Sequence, residues 1–332
     1  MEMFRASSEI RIMKQNTAPL LRGRSTPRRS TLRRSTPRPP AARRRQRRQN
    51  WEALLFLSPW LVGFLLFTAG PLLASMLLSF MRWDVVSRAE WVGFANYRQL
   101  LHDPLLRTSL WNTIYYAVLS IPLHLVVALA LALLLNQKVR GLGVFRTIFY
   151  LPTLTAGVAT FLLWGNIFEP QAGLLNRFLR HFVSEPPGWL IDPAWSKIAL
   201  VIMGTWSVGG TMLIFLAGLQ GIPAQLYEAA GIDGARPWAQ FRHVTLPMLS
   251  PTIFFNLIIA TIGSLQVFTQ AFVLTRGGPS NSTLFYVYYL FNRAFVYFNM
   301  GYASAMAWLL FIIVLVLALI QIRLSRKWVH YG

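Results

Sequence analysis

The sequence contains no cysteine, and only 11 of its 332 residues are acidic. Without cysteine it can form no disulfide, no thiolate nucleophile and no metal site with cysteine ligands. The five histidines are scattered, with none at the spacing of a metal-binding helix, so no metal site is predicted. It also lacks a G-x4-G-K-[ST] phosphate loop, a G-x-S-x-G motif and carboxylates paired on one helical face. These absences argue against an enzyme.

What the sequence does contain is apolar residues, at 55% of the chain. The mean hydropathy of +0.45 is too high for an ordinary soluble domain and is typical of a membrane protein with several spans. About 20 apolar residues cross the roughly 30 Å hydrocarbon core as a helix. Six stretches qualify, so the sequence predicts an all-α fold with six transmembrane helices, at about Ala53–Phe80, Leu110–Asn136, Phe145–Phe168, Ile198–Leu219, Pro251–Leu274 and Ala303–Ile322.

The net charge of +21 is concentrated at the amino terminus. Residues 1–50 hold 15 Lys and Arg against Glu2 and Glu9, and residues 24–38 repeat a five-residue RSTPR-like unit. The segment has no apolar periodicity and many prolines, so it is predicted to be a disordered tail preceding a membrane domain at 51–328. Two interpretations stay open: a solvated tail that only orients the first span, or contact with anionic lipid headgroups. Nucleic-acid binding is disfavoured.

The basic residues also predict the orientation of the spans. With both termini in the cytoplasm, the inner segments hold 23 Lys and Arg and the outer loops hold nine. The positive-inside rule therefore favours a multi-pass membrane protein with cytoplasmic termini. This orientation puts the loop between spans 4 and 5 in the cytoplasm.

That loop, residues 223–247, carries the most informative motif. Its 228–247 segment reads EAAGIDGARPWAQFRHVTLP. Pro223 is placed to open a short helix, and Asp233-Gly234 is a turn pair in which Gly adopts positive φ. Pro237 is expected to open a second short helix that ends at Pro247. The sequence thus predicts a helix–turn–helix between two spans.

The E-A-A-x3-G-x9-hydrophobe-x-L-P spacing resembles the cytoplasmic coupling loop of bacterial ABC importer permeases. Asn112-Thr113, Phe145-Arg146, the segment AGLQGIP at 217–223 and Thr275–Pro279 add to the resemblance. Over about residues 51–328 the chain is similar to the carbohydrate-uptake (MalF/UgpA-like) family, the inner membrane components of binding-protein-dependent transport systems. The resemblance implies a MetI-like transmembrane domain of such an importer.

The resemblance also implies partners and roles. The partners would be a second, different permease subunit, two ATP-binding-cassette ATPase subunits, an extracytoplasmic solute-binding protein and the lipid bilayer. ATP and Mg would bind to the ATPase, and this chain would hold no cofactor. The receptor-side loop would include Gly277, Gly278 and Pro279. The positions that would contact the ATPase are Glu228, Ala229, Ala230, Gly234, Val244, Leu246 and Pro247.

Polar residues within spans 4 and 5 suggest a solute pathway, because such residues are costly in a bilayer. Trp206, Ser264, Gln266 and Gln270 are the candidates, since an aromatic face with amide and hydroxyl groups suits a sugar. Hydrogen bonding between helices is the competing interpretation. No Lys, Arg, Asp or Glu falls in a span interior, which favours a neutral oligosaccharide or polyol over glycerol phosphate. An ion-coupled secondary transporter or channel is the alternative function.

Overall fold

The computed structural model describes residues 40–137, 141–155 and 157–330. Apart from one two-stranded hairpin, the regular structure of these residues is helical, as the sequence predicted. The helices and strands are α1 (Pro40–Phe64), α2 (Gly70–Leu78), β1 (Met81–Arg82), β2 (Glu90–Trp91), α3 (Ala95–His102), α4 (Pro104–Leu135), α5 (Leu142–Tyr150), α6 (Gly157–Ile167), α7 (Leu174–Leu179), α8 (Pro193–Gly204), α9 (Gly209–Gln220), α10 (Ala224–Ile232), α11 (Pro237–Gln240), α12 (Leu246–Leu265), α13 (Tyr286–Phe291) and α14 (Met300–Ser325).

Short 3₁₀ or π-helical turns lie at the ends of several of these α-helices. Two are 3₁₀ turns and four are π-helical turns in the described part of the chain, and they occupy Leu65–Ala69, Leu151–Leu154, Thr205–Ser207, Phe241–Thr245, Ala271–Thr275 and Asn292–Val296.

Four helical stretches are long and apolar enough to span a membrane, and two bent pairs bring the number to six among the described residues. The straight ones are Leu55–Leu78, Pro104–Leu135, Pro237–Leu265 and Met300–Ser325. The third predicted span consists of two helical segments, Leu142–Leu154 and Gly157–Ile167, at 99° to each other. The fourth bends by 50° between Pro193–Ser207 and Gly209–Gln220.

Two expectations about helix ends were wrong. Helix α1 begins at Pro40, so residues 40–50 are helical and only residues 1–39 of the predicted tail lie outside the described residues. Ala, Arg and Gln are strong helix formers, and a helix extended from an apolar span needs no new nucleus. The fifth span runs over Pro237–Leu265 and not over Pro251–Leu274, so it begins within the predicted loop.

The described residues from 63 onward pack around two apolar clusters. One lies around Phe168, Leu200, Phe285, Tyr286 and Tyr302, and joins α4, α8, α13 and α14. The other lies around Ala128, Ala132, Met212, Phe215 and Leu249, where α4, α9 and the start of α12 meet next to the 223–247 loop. Following the orientation that the basic residues predict, we call the end of the bundle near the first cluster the outer end and the end near the second the inner end.

Glycine allows one close approach at the outer end. The hairpin pairs Met81 with Trp91, and α14 begins beside it, with Met300 N donating to Trp83 O at 3.0 Å. Gly301 is buried, and a Cβ atom there would collide with the carbonyl oxygen of Met81. The hairpin and α14 therefore meet backbone to backbone.

Gly301→Ala should destabilise the protein by on the order of 1–3 kcal/mol, because the backbone oxygen of Met81 cannot yield as a flexible side chain can. The measurement is the thermal midpoint in detergent, followed by the fluorescence of the 12 tryptophans. Gly210→Ala is the matched control, since Gly210 is helical and a Cβ there meets nothing within 4 Å. Equal midpoints for the two variants would contradict the prediction.

Candidate functional site: an inner docking loop, a cavity and an outer loop

The first half of the 223–247 loop forms as the sequence predicted. Pro223 precedes α10, and the helix ends in a turn in which Ala235 N donates to Ala230 O at 2.9 Å and Gly234 N donates to Gly231 O at 3.0 Å. This pair of bonds is a Schellman motif, whose central residue must adopt the left-handed conformation. Gly234 does so, with φ +74°. The glycine of the motif is thus required by the backbone of this turn.

The second half of the loop differs from the prediction. The helix that opens at Pro237 does not end at Pro247, because it continues through a π-helical turn at Phe241–Thr245 into α12. Pro247 has no N–H to give and its ring crowds the preceding turn. The wider π turn, closed by Leu246 N donating to Phe241 O, lies directly before it and makes room. The second half of the loop and the fifth span therefore form one continuous helix.

The two halves of the loop are linked by side chains. Tyr227 Oη lies 3.0 Å from Thr245 Oγ1, and Thr245 is buried. Of the predicted docking residues, Glu228, Ala229 and Gly234 are exposed, whereas Ala230, Val244, Leu246 and Pro247 are half-buried. The motif thus divides into positions open to a partner and positions that hold the loop together.

The structure adds two exposed apolar residues to this loop. Ile232 is 88% exposed and Trp238 is 71% exposed, one on each side of the Gly234 turn. The Trp238 ring lies 5.4 Å from that of Phe241, which fixes its direction. Exposed aromatic and aliphatic side chains on a rigid turn are typical anchors of a protein interface. The sequence motif does not include them, because their exposure follows from how the two helices fold back.

A cavity of about 210 Å³ lies between α4, α8 and α12, partway along the bundle. Of the four residues predicted to line a solute pathway, Ser264 and Gln270 line this cavity and the other two do not. Gln266 lines a separate hollow with α13 and α14, and Trp206 is 53% exposed, with its ring 5.9 Å from that of Trp164. A side chain's direction around a helix depends on bends, such as the 3₁₀ turn at Thr205–Ser207.

The cavity has a polar wall on α4 that the sequence reasoning did not assign. Tyr116, Ser120 and His124 recur every four residues on one face of α4, and all three line the cavity. His124 Nε2 lies 2.9 Å from Thr211 Oγ1 of α9. Ser120 Oγ is buried without a hydrogen-bond partner among the described residues. The four-residue period was the signal that could have identified this wall.

Other polar residues of the fifth span serve the helices themselves. Asn256, Thr261 and Ser264 all donate to carbonyl oxygens of α12, at 2.9, 2.8 and 3.1 Å. Thr261 Oγ1 also accepts from Gln321 Nε2 of α14 at 2.7 Å. The polar residues of α12 therefore include one that lines the cavity and one that bonds to a neighbouring helix.

The outer loop at Thr275–Thr283 is held by hydrogen bonds. Thr283 Oγ1 donates to Gly278 O at 2.6 Å and lies 2.6 Å from Thr275 Oγ1. Gly277 is buried, with φ +84° and the Tyr288 ring where a Cβ would sit. Gly278 and Pro279 are half-buried, whereas Arg276, Ser280 and Asn281 are exposed. Of the predicted receptor-side residues, none is fully exposed, and the surface of the loop comes from their neighbours.

This loop is tied to two spans. Asn112 Nδ2 of α4 donates to Asn281 O at 2.7 Å and to Leu284 O at 3.2 Å. Thr113 Oγ1 accepts from Tyr286 N at 2.9 Å, and Ser196 Oγ of α8 lies 2.8 Å from Ser282 Oγ. The Asn112-Thr113 pair of the sequence motif therefore fixes the loop between spans.

An ionic cluster lies beside the loop at the outer end. Asp103 caps α4 and accepts from Tyr289 Oη at 2.6 Å, from Tyr302 Oη and from Arg293 Nη2 at 3.3 Å. Burial by itself would raise the pKa of Asp103, but the hydrogen bonds from Tyr289, Tyr302 and two backbone N–H groups outweigh it and hold that pKa below 3.8. Burial and the Asp103 carboxylate raise the pKa of Tyr289 to about 12. At neutral pH the cluster is a carboxylate bound by two phenols and a guanidinium.

The family described as "Binding-protein-dependent transport system inner membrane component" matches residues 106–330. The chain belongs to this family. It is 41% identical over 290 residues to the probable ABC transporter permease protein YesP of Bacillus subtilis (strain 168), covering 86% of this chain and 94% of YesP. It is 36% identical over 279 residues to the lactose transport system permease protein LacF of Rhizobium radiobacter, covering 82% of this chain and 93% of LacF.

One similar structure is that of a bacterial alginate ABC transporter in complex with an alginate pentasaccharide-bound periplasmic protein. The TM-score is 0.76 at 23% identity, covering 87% of this chain and 98% of that one. This likeness shows the fold of an ABC importer permease. The family and the relatives identify the chain as a sugar-type ABC importer permease that lies in the membrane, as the sequence motif indicated.

Asp103→Asn should lower the thermal midpoint by about 2–6 °C at pH 7, because Asn keeps the cap but leaves the Arg293 charge uncompensated. Since the folded pKa of Asp103 lies below 3.8, the carboxylate's contribution is complete above that value and is lost as the pH falls further. The difference between wild type and variant should therefore be constant from pH 7 to about pH 5 and shrink below about pH 4.

Thermal midpoints in detergent across that pH range measure this difference. Asp84→Asn is the control, because Asp84 accepts hydrogen bonds from Ser87 in an exposed turn and forms no ion pair among the described residues. A difference that vanished already at pH 6 would contradict the assignment of the effect to Asp103.

Proposed function

We propose that this permease moves a sugar into the cytoplasm and is coupled to a separate ATPase through the 223–247 loop. The observation that carries the proposal is the continuous helix from Pro237 to Leu265. At 1.5 Å per residue its 29 residues extend over about 43 Å, more than the hydrocarbon core. One end carries the exposed turn and the other end carries Ser264 of the cavity. A displacement of the turn would thus reach the cavity as movement of one rigid helix.

The orientation that the basic residues predict is compatible with this coupling. The 223–247 loop and both termini would lie in the cytoplasm, where the ATPase would bind ATP and Mg. Exposed Glu228, Ala229 and Gly234 with Ile232 and Trp238 would occupy a groove of the ATPase. The sequence has no phosphate loop of its own, which supports separate subunits for hydrolysis and conduction.

The cavity supports a second, different permease subunit. Its volume of about 210 Å³ is below the roughly 300–1,000 Å³ typical of small-molecule sites. The first span exposes Phe56, Phe67 and other large apolar residues, a surface suited to lipid or to another subunit. A second subunit facing the cavity would complete a passage wide enough for a sugar.

The solute-binding protein would deliver the sugar at the outer end. The family is binding-protein-dependent, and the similar alginate transporter binds a periplasmic protein. The rigid Thr275–Thr283 loop would face that receptor.

The cavity lining favours a neutral oligosaccharide or polyol over glycerol phosphate. Among its described residues, the polar groups are hydroxyls, one amide and the imidazole of His124, and no Lys, Arg, Asp or Glu is present. Hydroxyl and amide groups match the rim of a sugar, and Tyr116 offers an aromatic face. A phosphate would lack a cationic partner there.

Gly234→Val should abolish transport and receptor-stimulated ATP hydrolysis without unfolding the spans, because Val resists the positive φ of the Schellman turn. Gly234→Asn should retain most of both activities, since Asn tolerates that conformation. The assay uses proteoliposomes holding this chain with its partner permease, ATPase and receptor. Sugar uptake by Gly234→Val at the wild-type rate, persisting without ATP, would instead favour an ion-coupled carrier or channel.

Gln270→Ala should lower sugar uptake about 2–10-fold, the cost of one lost hydrogen bond to a solute hydroxyl. Gln266→Ala is the matched control, because this glutamine lines a different hollow, and its uptake should stay at the wild-type rate. ATP hydrolysis against neutral oligosaccharides, polyols and glycerol phosphate then identifies the solute class. Stimulation by glycerol phosphate alone would overturn the preference for a neutral sugar.

A further inference from the structure

A second hollow, of about 220 Å³, opens at the outer end of the bundle between the start of α4, the Thr275–Thr283 loop and α13. We call it the outer pocket, and the residues that give it its character are Arg276, Asn281, Tyr288, Asn292, Arg293 and Tyr297. Two guanidinium groups, two amides and aromatic rings thus face one small space. None of these side chains belongs to the 223–247 loop or to the lining of the cavity.

The charge of the outer pocket is positive. Arg293 is paired with Asp103 and lies over the rings of Tyr289, Tyr297 and Tyr302, at 5.1, 5.7 and 5.3 Å. Arg276 is exposed, and its guanidinium makes no hydrogen bond or ion pair with any residue in the described ranges. Asp103 compensates the charge of Arg293, so the positive charge of Arg276 is left for a ligand.

Arg276 is also held in place, which lowers the entropy lost when it binds. Its backbone is left-handed, with φ +49°, directly before Gly277 at φ +84°. Arg276 N donates to Ala271 O at 2.6 Å, and Gly278 N donates to Thr275 O at 2.9 Å. The guanidinium thus projects from a fixed turn, and only its side chain needs to be ordered.

The outer pocket is separate from the solute cavity. Phe285 is fully buried and packs edge-to-face against Tyr116 of the cavity at 5.3 Å, while its sequence neighbour Leu284 lines the outer pocket. Tyr286, also fully buried, closes the same layer by donating to Met306 O at 2.8 Å. A solute in the cavity would have to cross this packed layer to reach Arg276.

We propose that the outer pocket receives an Asp or Glu side chain of the extracytoplasmic solute-binding protein, with Arg276 as its main ionic partner. This inference rests on the proposed function, which places the receptor at the outer end. A guanidinium binds a carboxylate through two parallel hydrogen bonds, which add geometric specificity to the attraction of charge. The amides of Asn281 and Asn292 on the same rim can serve the flanking polar groups of the receptor.

The test is a titration of the purified cognate solute-binding protein against the reconstituted transporter, with ATP hydrolysis as the readout at saturating solute. Arg276→Gln should raise the half-maximal receptor concentration about tenfold at low salt, with the maximal rate unchanged. At about 0.5 M salt the difference should fall below about twofold, because salt screens exposed charges. Arg276→Lys keeps the charge, so its half-maximal receptor concentration at low salt should lie between those of the wild type and Arg276→Gln.

Arg88→Gln is the matched control, since it removes the same charge from another exposed site of a loop at that end. It should leave the half-maximal concentration unchanged. Equal effects of Arg276→Gln and Arg88→Gln would overturn the proposal and indicate only a general attraction of charge. If Arg276→Gln changed the solute concentration that gives half-maximal ATP hydrolysis at saturating receptor, the proposal would be overturned in favour of an anionic solute site. An effect present only in vesicles containing anionic lipid would overturn it in favour of a headgroup.

One further measurement identifies the carboxylate that binds Arg276. It also distinguishes a failure of this proposal from a failure of the proposed transport function. Changing each acidic residue of the receptor's docking face to Lys, together with Arg276→Glu, should restore stimulation for one pair alone. If no pair restores it, while the wild-type transporter is stimulated normally, the outer pocket is not the docking site. If the wild-type transporter itself shows no receptor-stimulated hydrolysis, it is the proposed function that fails.

Discussion

A backbone N–H or C=O group in the hydrocarbon of a membrane has no water to bond, and this constraint governs the structure. It makes the spans helical, and it also decides how they bend. Where the fourth span bends, a 3₁₀ turn at Thr205–Ser207 keeps its carbonyls bonded, with Thr205 Oγ1 donating to Ile202 O at 2.6 Å. Where Pro247 interrupts the helix, the π turn at Phe241–Thr245 shifts the bonding by one residue. Each of these two breaks is a change of helical period.

The same constraint explains how polar side chains are used. Within α12, a hydroxyl or amide is satisfied by its own helix or by a neighbouring one, as Thr261 shows with Leu257 and Gln321. The side chains of α4 at its outer end bind the loop that follows α12, through Asn112 and Thr113. The outer loop is thereby anchored to α4 and α8, so its exposed residues are presented on a fixed base. Ser120 stands apart, because its hydroxyl faces the cavity without a partner among the described residues.

The two ends of the bundle have different characters. At the inner end, small residues such as Ala128 and Ala132 let α4 and α9 approach closely, next to a loop that exposes Ile232 and Trp238. At the outer end, large aromatic residues and the Asp103 cluster build a rigid block around α13. Helix α12 joins the two ends. A rigid outer block and one continuous helix from the inner loop are suited to converting a push at one end into a change in the cavity between them.

The sequence by itself determined the class of structure and the family. Apolar stretches of sufficient length predict helical spans whatever their packing, and the spacing in Glu228–Pro247 predicted the helix–turn–helix around Gly234, because both are local properties of the chain. Local properties did not decide where helices stop: Pro247 was expected to end one, and the π turn carried it through. Nor did they decide which side chains meet. Ser264 and Gln270 line the cavity, whereas Gln266 and Trp206 do not. Each bend or change of helical period rotates the side chains that follow it, so the direction of a side chain cannot be read from its spacing alone.

The outer end depended on tertiary structure alone. Asp103, Tyr289, Arg293 and Tyr302 are up to 199 positions apart in the chain and come together only because α4, α13 and α14 pack at one point. No spacing rule relates such residues, since their distance is set by the packing of helices. The sequence therefore determined that this chain crosses a membrane and belongs to a transporter, whereas the folded bundle decided which residues line the cavity and which loop residues are exposed.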